Sequence, residues 1–367
     1  MKFIVRHLKI IVTLLFIVII VSGFTLLNPF QEKPVVKTNF LLNTLVSIKA
    51  YGKNAQEAAD AAMDRIREIE DAMSAHAEGS EIWHVNRQGN REHVKVSKDT
   101  LEVIQRGLYY SRLTDGYFDI TVKPLVDVWQ IGTEQPRVPS ADEIKHAIGK
   151  IGYQKVAIDE EQQSVKLDLQ GMGIDLGGIA KGYAADEVLR ILKEHGIQRA
   201  YADLGGNVVV LGQKKREWGQ YIISRLNRQK GPTQRHWRIG IQDPVKGRGL
   251  HMAVVEVADQ AVVTSGPYER NFQQDGKVYH HILNPFTGYP AESSLISATV
   301  IAEKSMDADA LSTSIFLLGE KEGLRLIESQ PGIEAMIINK DKIVRVTKGL
   351  EGKVEIVDQT YSLKSGE

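Results

Sequence analysis

Apolar and polar positions alternate along this chain with two distinct periods. Between Gln56 and Met73 the residues Ala58, Ala59, Ala62, Met63, Ile66, Ile69 and Met73 recur at three- and four-residue steps, which places them on one face of a helix. A second helix is predicted from Ser97, a capping residue ahead of the inward positions Leu101, Ile104 and Leu108. Further helices are predicted over 139–148, with Ser140 as cap, over 182–194, and from about Ser305 to Leu318. The two-residue period predicts a strand from Thr38 to Tyr51 with a break near Asn43-Thr44, and a hairpin from Val156–Ile158 and Ser164–Leu169. It also predicts strands over 200–211, 221–223, 237–241, 252–257, 261–263 and 297–302, and three short ones within 333–357. Thr114 to Val122 reads as a turn leading into a short extended stretch. Helices separated by runs of strands imply an α+β architecture with a mostly antiparallel sheet.

The N-terminal pattern differs. Lys2, Arg6 and Lys9 precede an uncharged, mostly apolar run from Ile10 to Leu27. Such a run is expected to be a single transmembrane helix acting as a membrane anchor, or a signal sequence, over residues 1–30. The basic residues before it put the N-terminus inside and the rest on the extracytoplasmic side of the cell membrane. A linker over 31–37, a single domain over 38–358 and a C-terminal tail over 359–367 are expected after it. Formal net charge is zero, and no basic stripe interleaves with aromatics, so nucleic acid is not an expected partner. The chain has no cysteine, which excludes disulfides, thiol catalysis and thiolate metal sites.

Three segments carry candidate chemistry. In Asp175-Leu-Gly-Gly-Ile-Ala-Lys-Gly-Tyr-Ala-Ala-Asp186 an acidic residue, paired glycines and Lys181 run into a helix. Glycines permit close backbone approach and a helix start presents free N–H groups to an anion, so the segment points to a phosphate-containing ligand or to a tight structural turn. The spacing matches neither a G-x-G-x-x-G fingerprint nor a P-loop. Its first part recurs as Asp203-Leu-Gly-Gly-Asn207, as ligand contact or plain turn. Asp309 and Thr313 stand four apart, on one helical face, and suit either a hard cation or helix capping. His280 and His281 should face opposite ways if the segment is extended, and a histidine there could serve as a general base or be merely exposed or hydrogen-bonded. Thr264-Ser-Gly266 is a small-residue turn that a phosphate could approach, or a plain β-turn.

In order, these segments resemble the ApbE family, the FAD:protein FMN transferases. The likeness runs from about Thr38 to Thr347. It is carried by Leu42-Asn43-Thr44 (usually Met-Gly-Thr), Ser80-Glu81-Ile82 with Asn86, the 114–121 segment, and Pro124-Leu125 with Trp129. Asp175 to Asp186, Asp203 to Asn207, Thr264 to Gly266, His281 to Gly288 and Asp309 to Thr313 continue it. The resemblance implies a T-fold-like α+β domain that binds FAD and Mg2+ as a metal-binding membrane enzyme. It implies transfer of FMN through a phosphoester to a threonine or serine of an acceptor flavoprotein, with release of AMP. FAD hydrolysis to FMN and AMP, or FAD binding without turnover, are the alternatives. It also implies metal ligands at Asp309, Thr313 and an oxygen of Gly178, and a catalytic base at His281. FAD contacts are implied at Leu42, His76 (an aromatic in relatives), Tyr117, Phe118, Asp119, Asp175, Lys181 and Leu283.

Overall fold

A computed structural model describes residues 33–215, 234–247 and 249–364. Nine strands form one sheet whose spatial order is their order in the chain: β1 (Val35–Leu41), β2 (Thr44–Tyr51), β3 (Arg199–Leu204), β4 (Asn207–Leu211), β5 (Ala261–Ser265), β6 (Leu295–Ala302), β7 (Glu334–Asn339), β8 (Ile343–Val346) and β9 (Ser362–Lys364). Every neighbouring pair is antiparallel except β8 and β9, which run parallel. The α+β, mostly antiparallel expectation therefore holds.

The helices are α1 (Ala55–Met73), α2 (Glu81–Gln88), α3 (Lys98–Leu113), α4 (Lys123–Trp129), α5 (Ala141–Ile148), α6 (Ala180–Glu194), α7 (Ser305–Leu318) and α8 (Glu320–Glu328). The predicted inward face of α1 is buried at each of its positions. Ser97 and Ser140 cap α3 and α5, and Ser140 forms a reciprocal capping box with Glu143. Helices α1, α6 and α7 cover one face of the sheet, and their apolar sides merge with inward residues such as Val46, Ile48, Ala202 and Val300 into the main core. Burial at this scale, roughly 25 cal/mol per Å² of apolar surface, drives the layering. On the other face a three-stranded sheet of Trp237–Gln242, His251–Val257 and Val354–Ile356 packs over β4 to β8. A smaller cluster joins α4 and α5 to Leu283 through Leu125, Trp129, Ile144 and Ala147.

Several expected elements are revised. The stretch 38–51 is a hairpin, because Leu42 and Asn43 both adopt left-handed φ (53 and 56) and reverse the chain. The stretch 200–211 is a second hairpin, turning on Gly205 and Gly206 (φ 65 and 95). Positive φ at both central residues suits a two-residue turn to the twist of its strands. Residues 114–122 form a loop rather than an extended stretch, and α2, α4 and α8 are additional helices. The expected linker contributes Val35–Lys37 to β1, and the expected tail contributes β9 and the buried Tyr361. Lys214 pairs with Arg235 and Lys215 with Gln234 in a separate two-stranded ladder. The strand expected at 221–223 and the apolar run Ile10–Leu27 lie outside the described residues. Among the described residues no helix is long and apolar enough to cross a membrane.

Candidate active site

Both hairpin turns lie at one end of the sheet, beside the C-terminal end of β5. Val46 pairs with Leu204, Val263 pairs with Asn207, and the Thr264 N–H donates to the Gly206 carbonyl at 3.3 Å. A cavity of about 1150 Å³ opens there, lined also by the 117–122 loop, the 175–181 turn, His281 and α7. That exceeds the roughly 300–1,000 Å³ typical of a drug-sized ligand, leaving room for a dinucleotide. Every residue implied by the resemblance lines it: Leu42, His76, Tyr117, Phe118, Asp119, Asp175, Gly178, Lys181, His281, Leu283, Asp309 and Thr313.

The 175–181 turn is clamped from outside. Asn86 accepts from the Ile174 N–H at 2.6 Å and donates to its carbonyl at 2.9 Å. The Asp175 carboxylate accepts from the Gly177 N–H at 2.8 Å, and the chain then enters α6. Gly178 sits against the Phe118 ring, where a Cβ would meet Cε2 at 3.0 Å. Phe118 is held by the Thr114 hydroxyl, which accepts its N–H at 3.0 Å. The Asp119 carboxylate accepts from the Thr121 N–H and hydroxyl and from the Tyr153 N–H. Its contribution is therefore to fix the loop that carries Tyr117 and Phe118.

Asp309 is 2% exposed. Capping does occur here, but across helices: Asp309 lies inside α7, and its Oδ2 accepts the Gly182 N–H of the first turn of α6 at 2.9 Å. Its Oδ1 is 3.5 Å from Lys181 Nζ, and that ammonium also donates to Asn207 Oδ1 at 3.1 Å. The Thr313 hydroxyl lies 3.3 Å from Ser265 Oγ and 4.0 Å from where a Cβ on Gly178 would sit. One carboxylate, one hydroxyl and the backbone at Gly178 thus converge on the cavity. Among the described residues no group of three His, Asp or Glu side chains gathers as a metal site. A mixed oxygen set with one carboxylate instead fits a hard cation that keeps water or phosphate oxygens.

The two histidines divide as the two-residue period predicts. His280 is buried, bonds the Ala291 carbonyl at 3.1 Å and packs edge-on to Phe316. His281 faces the cavity. Its Nδ1 and its backbone N–H both meet the Arg270 carbonyl, at 3.2 and 3.1 Å. A carbonyl only accepts, so Nδ1 carries the proton and Nε2 keeps a free lone pair. Burial, with the Arg270 charge next, pushes the imidazole pKa well below its ordinary 6.5, so the ring is neutral at physiological pH.

Four contributors were not singled out from sequence: Asn207 as the anchor of Lys181, Ser265 as the buttress of Thr313, the Arg270 carbonyl that orients His281, and Asp186. Asp186 accepts from the Ser305 and Met306 N–H groups at 2.8 and 3.0 Å, and burial lifts its pKa to about 6. Asn207, Ser265 and Asp186 lie within segments already noted as motifs, which was their only signal. Arg270 had none. The second copy, Asp203-Leu-Gly-Gly, forms the β3–β4 hairpin turn, with Gly205 on the cavity wall.

A cavity roomy enough for a dinucleotide, walled by a carboxylate, a hydroxyl and a neutral histidine, suits an enzyme that acts on a nucleotide. A model of the ApbE family matches residues 42–337, and this chain belongs to that family. A protein named FAD:protein FMN transferase from Treponema pallidum (strain Nichols) is 33% identical over 338 residues, covering 89% of this chain and 91% of the relative. Another of that name, from Klebsiella pneumoniae (strain 342), is 31% identical over 88% of this chain and 95% of its own length. The crystal structure of the ApbE protein of Thermotoga maritima superposes with a TM-score of 0.76 at 32% identity, covering 88% of this chain and 99% of that one. The flavin transferase ApbE of Vibrio cholerae gives 0.73 at 27% identity, with the same coverage.

Proposed function

We propose that the cavity binds FAD and transfers its FMN moiety to a threonine or serine hydroxyl of an acceptor flavoprotein, releasing AMP. The chain is an FAD:protein FMN transferase in this reading. The observation that carries it is the convergence, in one dinucleotide-sized cavity, of the oxygen donors of α7, the 175–181 turn and a neutral histidine. Leu42, His76, Tyr117, Phe118 and Leu283 supply apolar and aromatic wall for the flavin and adenine rings. The ammonium of Lys181, on the cavity wall, faces the pyrophosphate. Asp309, Thr313 and the main-chain oxygen of Gly178 would hold Mg2+, which when bound neutralises charge on the phosphates.

Phosphoryl transfer depends mainly on positioning and charge stabilisation. The acceptor hydroxyl oxygen bonds to the FMN-side phosphorus, the bond from that phosphorus to the AMP oxygen breaks, and the hydroxyl proton passes to His281 Nε2. The Arg270 carbonyl keeps the imidazole in the tautomer this requires. The basic residues ahead of Ile10–Leu27 support an anchored enzyme whose domain works on the extracytoplasmic face.

The test is to incubate the full-length chain with FAD, Mg2+ and an acceptor flavoprotein. Covalent flavin fluorescence on a denaturing gel with equimolar AMP is expected; free FMN alone would assign hydrolysis, and unchanged bound FAD a carrier. In His281→Ala, FAD binding is expected to persist while transfer falls about 10²–10⁴-fold. Because the imidazole pKa is depressed, the acid limb of kcat/KM should lie below pH 6.5. An acid limb above that value would remove His281 as the base.

A further inference from the structure

Helices α6 and α7 each begin without a side-chain cap of their own, at Ile179 and Lys304. Each is capped by the other. Asp186 of α6 accepts the Ser305 and Met306 N–H groups that open α7, at 2.8 and 3.0 Å. Asp309 of α7 accepts the Gly182 N–H in the first turn of α6, at 2.9 Å. On both helices the acceptor stands four residues after a donor, on the same face. The crossing is close enough that a Cβ on Gly182 would lie 2.4 Å from the Ser305 carbonyl oxygen and 2.6 Å from Met306 Cα. Two helix starts and two carboxylates thus form one reciprocal latch, in which each carboxylate also complements the other helix's dipole.

The latch bears on the site because one of its carboxylates faces the cavity. With Oδ2 of Asp309 held by Gly182, Oδ1 is left toward Lys181 and the open space. Thr313 lies one turn further along the same helix. We propose that Asp186 is a positioning residue for the cation site: by capping α7 it fixes the register in which Asp309 and Thr313 are presented opposite Gly178. This rests on the reading of Asp309 and Thr313 as cation ligands. Asp186 touches neither cation nor FAD and acts through α7.

The role is tested with Mn2+, an oxygen-preferring probe ion followed by EPR, titrated into the full-length chain. Asp186→Ala is expected to weaken Mn2+ binding about 10–100-fold, as loss of an outer partner of a metal ligand does. Amide hydrogen exchange at Gly182, Ser305 and Met306 should quicken in the same variant. Asp186→Asn, which keeps one acceptor oxygen, should fall between it and the wild type. Val188→Ala removes buried core volume from the same helix; it should lower Tm without moving Mn2+ affinity, which separates positioning from general destabilisation. Mn2+ affinity within twofold of wild type in Asp186→Ala, or in Asp186→Asn should the alanine variant not fold, overturns the proposal. Equal losses in Val188→Ala overturn it as well. A wild type that takes up no Mn2+, with or without FAD, overturns the cation reading itself, and the positioning role falls with it.

Discussion

The chain contains the tetrapeptide Asp-Leu-Gly-Gly twice, at 175–178 and 203–206, and the copies do different work. Locally they behave alike: Asp175 accepts from Gly177 at 2.8 Å and Asp203 from Gly206 at 3.0 Å. The difference lies in the residues downstream of each copy and in the elements packed against it. After the first copy, Ile-Ala-Lys-Gly enters α6 beside Phe118, Asp309 and Thr313. After the second, Asn-Val-Val-Val continues as β4, and Gly205 packs on Thr44 so tightly that a Cβ would lie 2.1 Å from its Oγ1. Gly205 and Gly206 are needed for their left-handed φ, whereas Gly177 and Gly178 are not among the positive-φ glycines and are needed for close approach. A glycine pair after an aspartate is thus a reusable piece of backbone chemistry. It becomes a site only where a distant helix brings oxygen donors to it.

The sharpest way to break this comparison is to remove the donor from the distant helix. Asp309→Ala is expected to reduce FMN transfer about 10²–10³-fold at saturating FAD, the scale for losing one preorganised electrostatic partner. The reduction should track a weakened dependence on magnesium, measured by initial rates across a magnesium series. Full activity at limiting magnesium would return the first copy to the status of the second, a turn and nothing more.

Exchanging the glycines gives the next largest effect, with opposite signatures. Gly205→Ala forces a side chain into φ 65 and onto Thr44, and should cost about 1–3 kcal/mol by denaturant unfolding. The folded fraction should retain its turnover. Gly178→Ala has ordinary φ and meets only the edge of Phe118, so it should cost about 1 kcal/mol or less. It should nonetheless lower kcat/KM by about tenfold, because the wall opposite Thr313 moves. If the glycine at 205 proves the catalytic one and that at 178 the structural one, the assignment is reversed.

The same contrast explains how much of the molecule was legible in its sequence. The faces of α1, α3 and α7 were readable because many periodic residues point to one core. So was the opposed orientation of His280 and His281. Of the two hairpins only a break near Asn43-Thr44 was legible, since Leu42 is a poor left-handed residue by its own preference and Gly205-Gly206 sits inside one otherwise strand-like run. Short α2 offers too few turns to show a period, although Ser80 caps it through the Trp83 N–H. At the site, Asp309 and Thr313 could be placed on one face, but their spacing could not say that Asp309 would cap α6. That bond joins residues more than a hundred positions apart, as does the clasp of Asp186 on α7. The order of motifs carried the list of site residues; only the packing gave each its partner.

The smallest effect tests the two aspartates. Asp203 is half-buried, and that burial raises its pKa above 3.8 against the pull of the Gly206 N–H, the Tyr201 hydroxyl and the Gly205 N–H, with the Glu269 charge adding to the rise. In the window from 3.8 up to that raised value the native state holds more of this proton than the unfolded state. Its contribution to stability therefore falls as pH rises through the window. Asp203→Asn keeps the oxygen that accepts from Gly206 and removes the titration. The variant should match or exceed wild-type stability at pH 7, by on the order of 1 kcal/mol or less, and the gap should close as the pH is lowered toward 3.8. Asp175→Asn, at the copy that leads to Lys181 beside Asp309, should instead register as weaker FAD binding with little change in Tm. Paired melts at pH 4 and pH 7 with FAD titrations of both variants make the check. An Asp203→Asn protein that loses FAD affinity while Asp175→Asn keeps it would place the ligand at the hairpin and dissolve the distinction between the two copies.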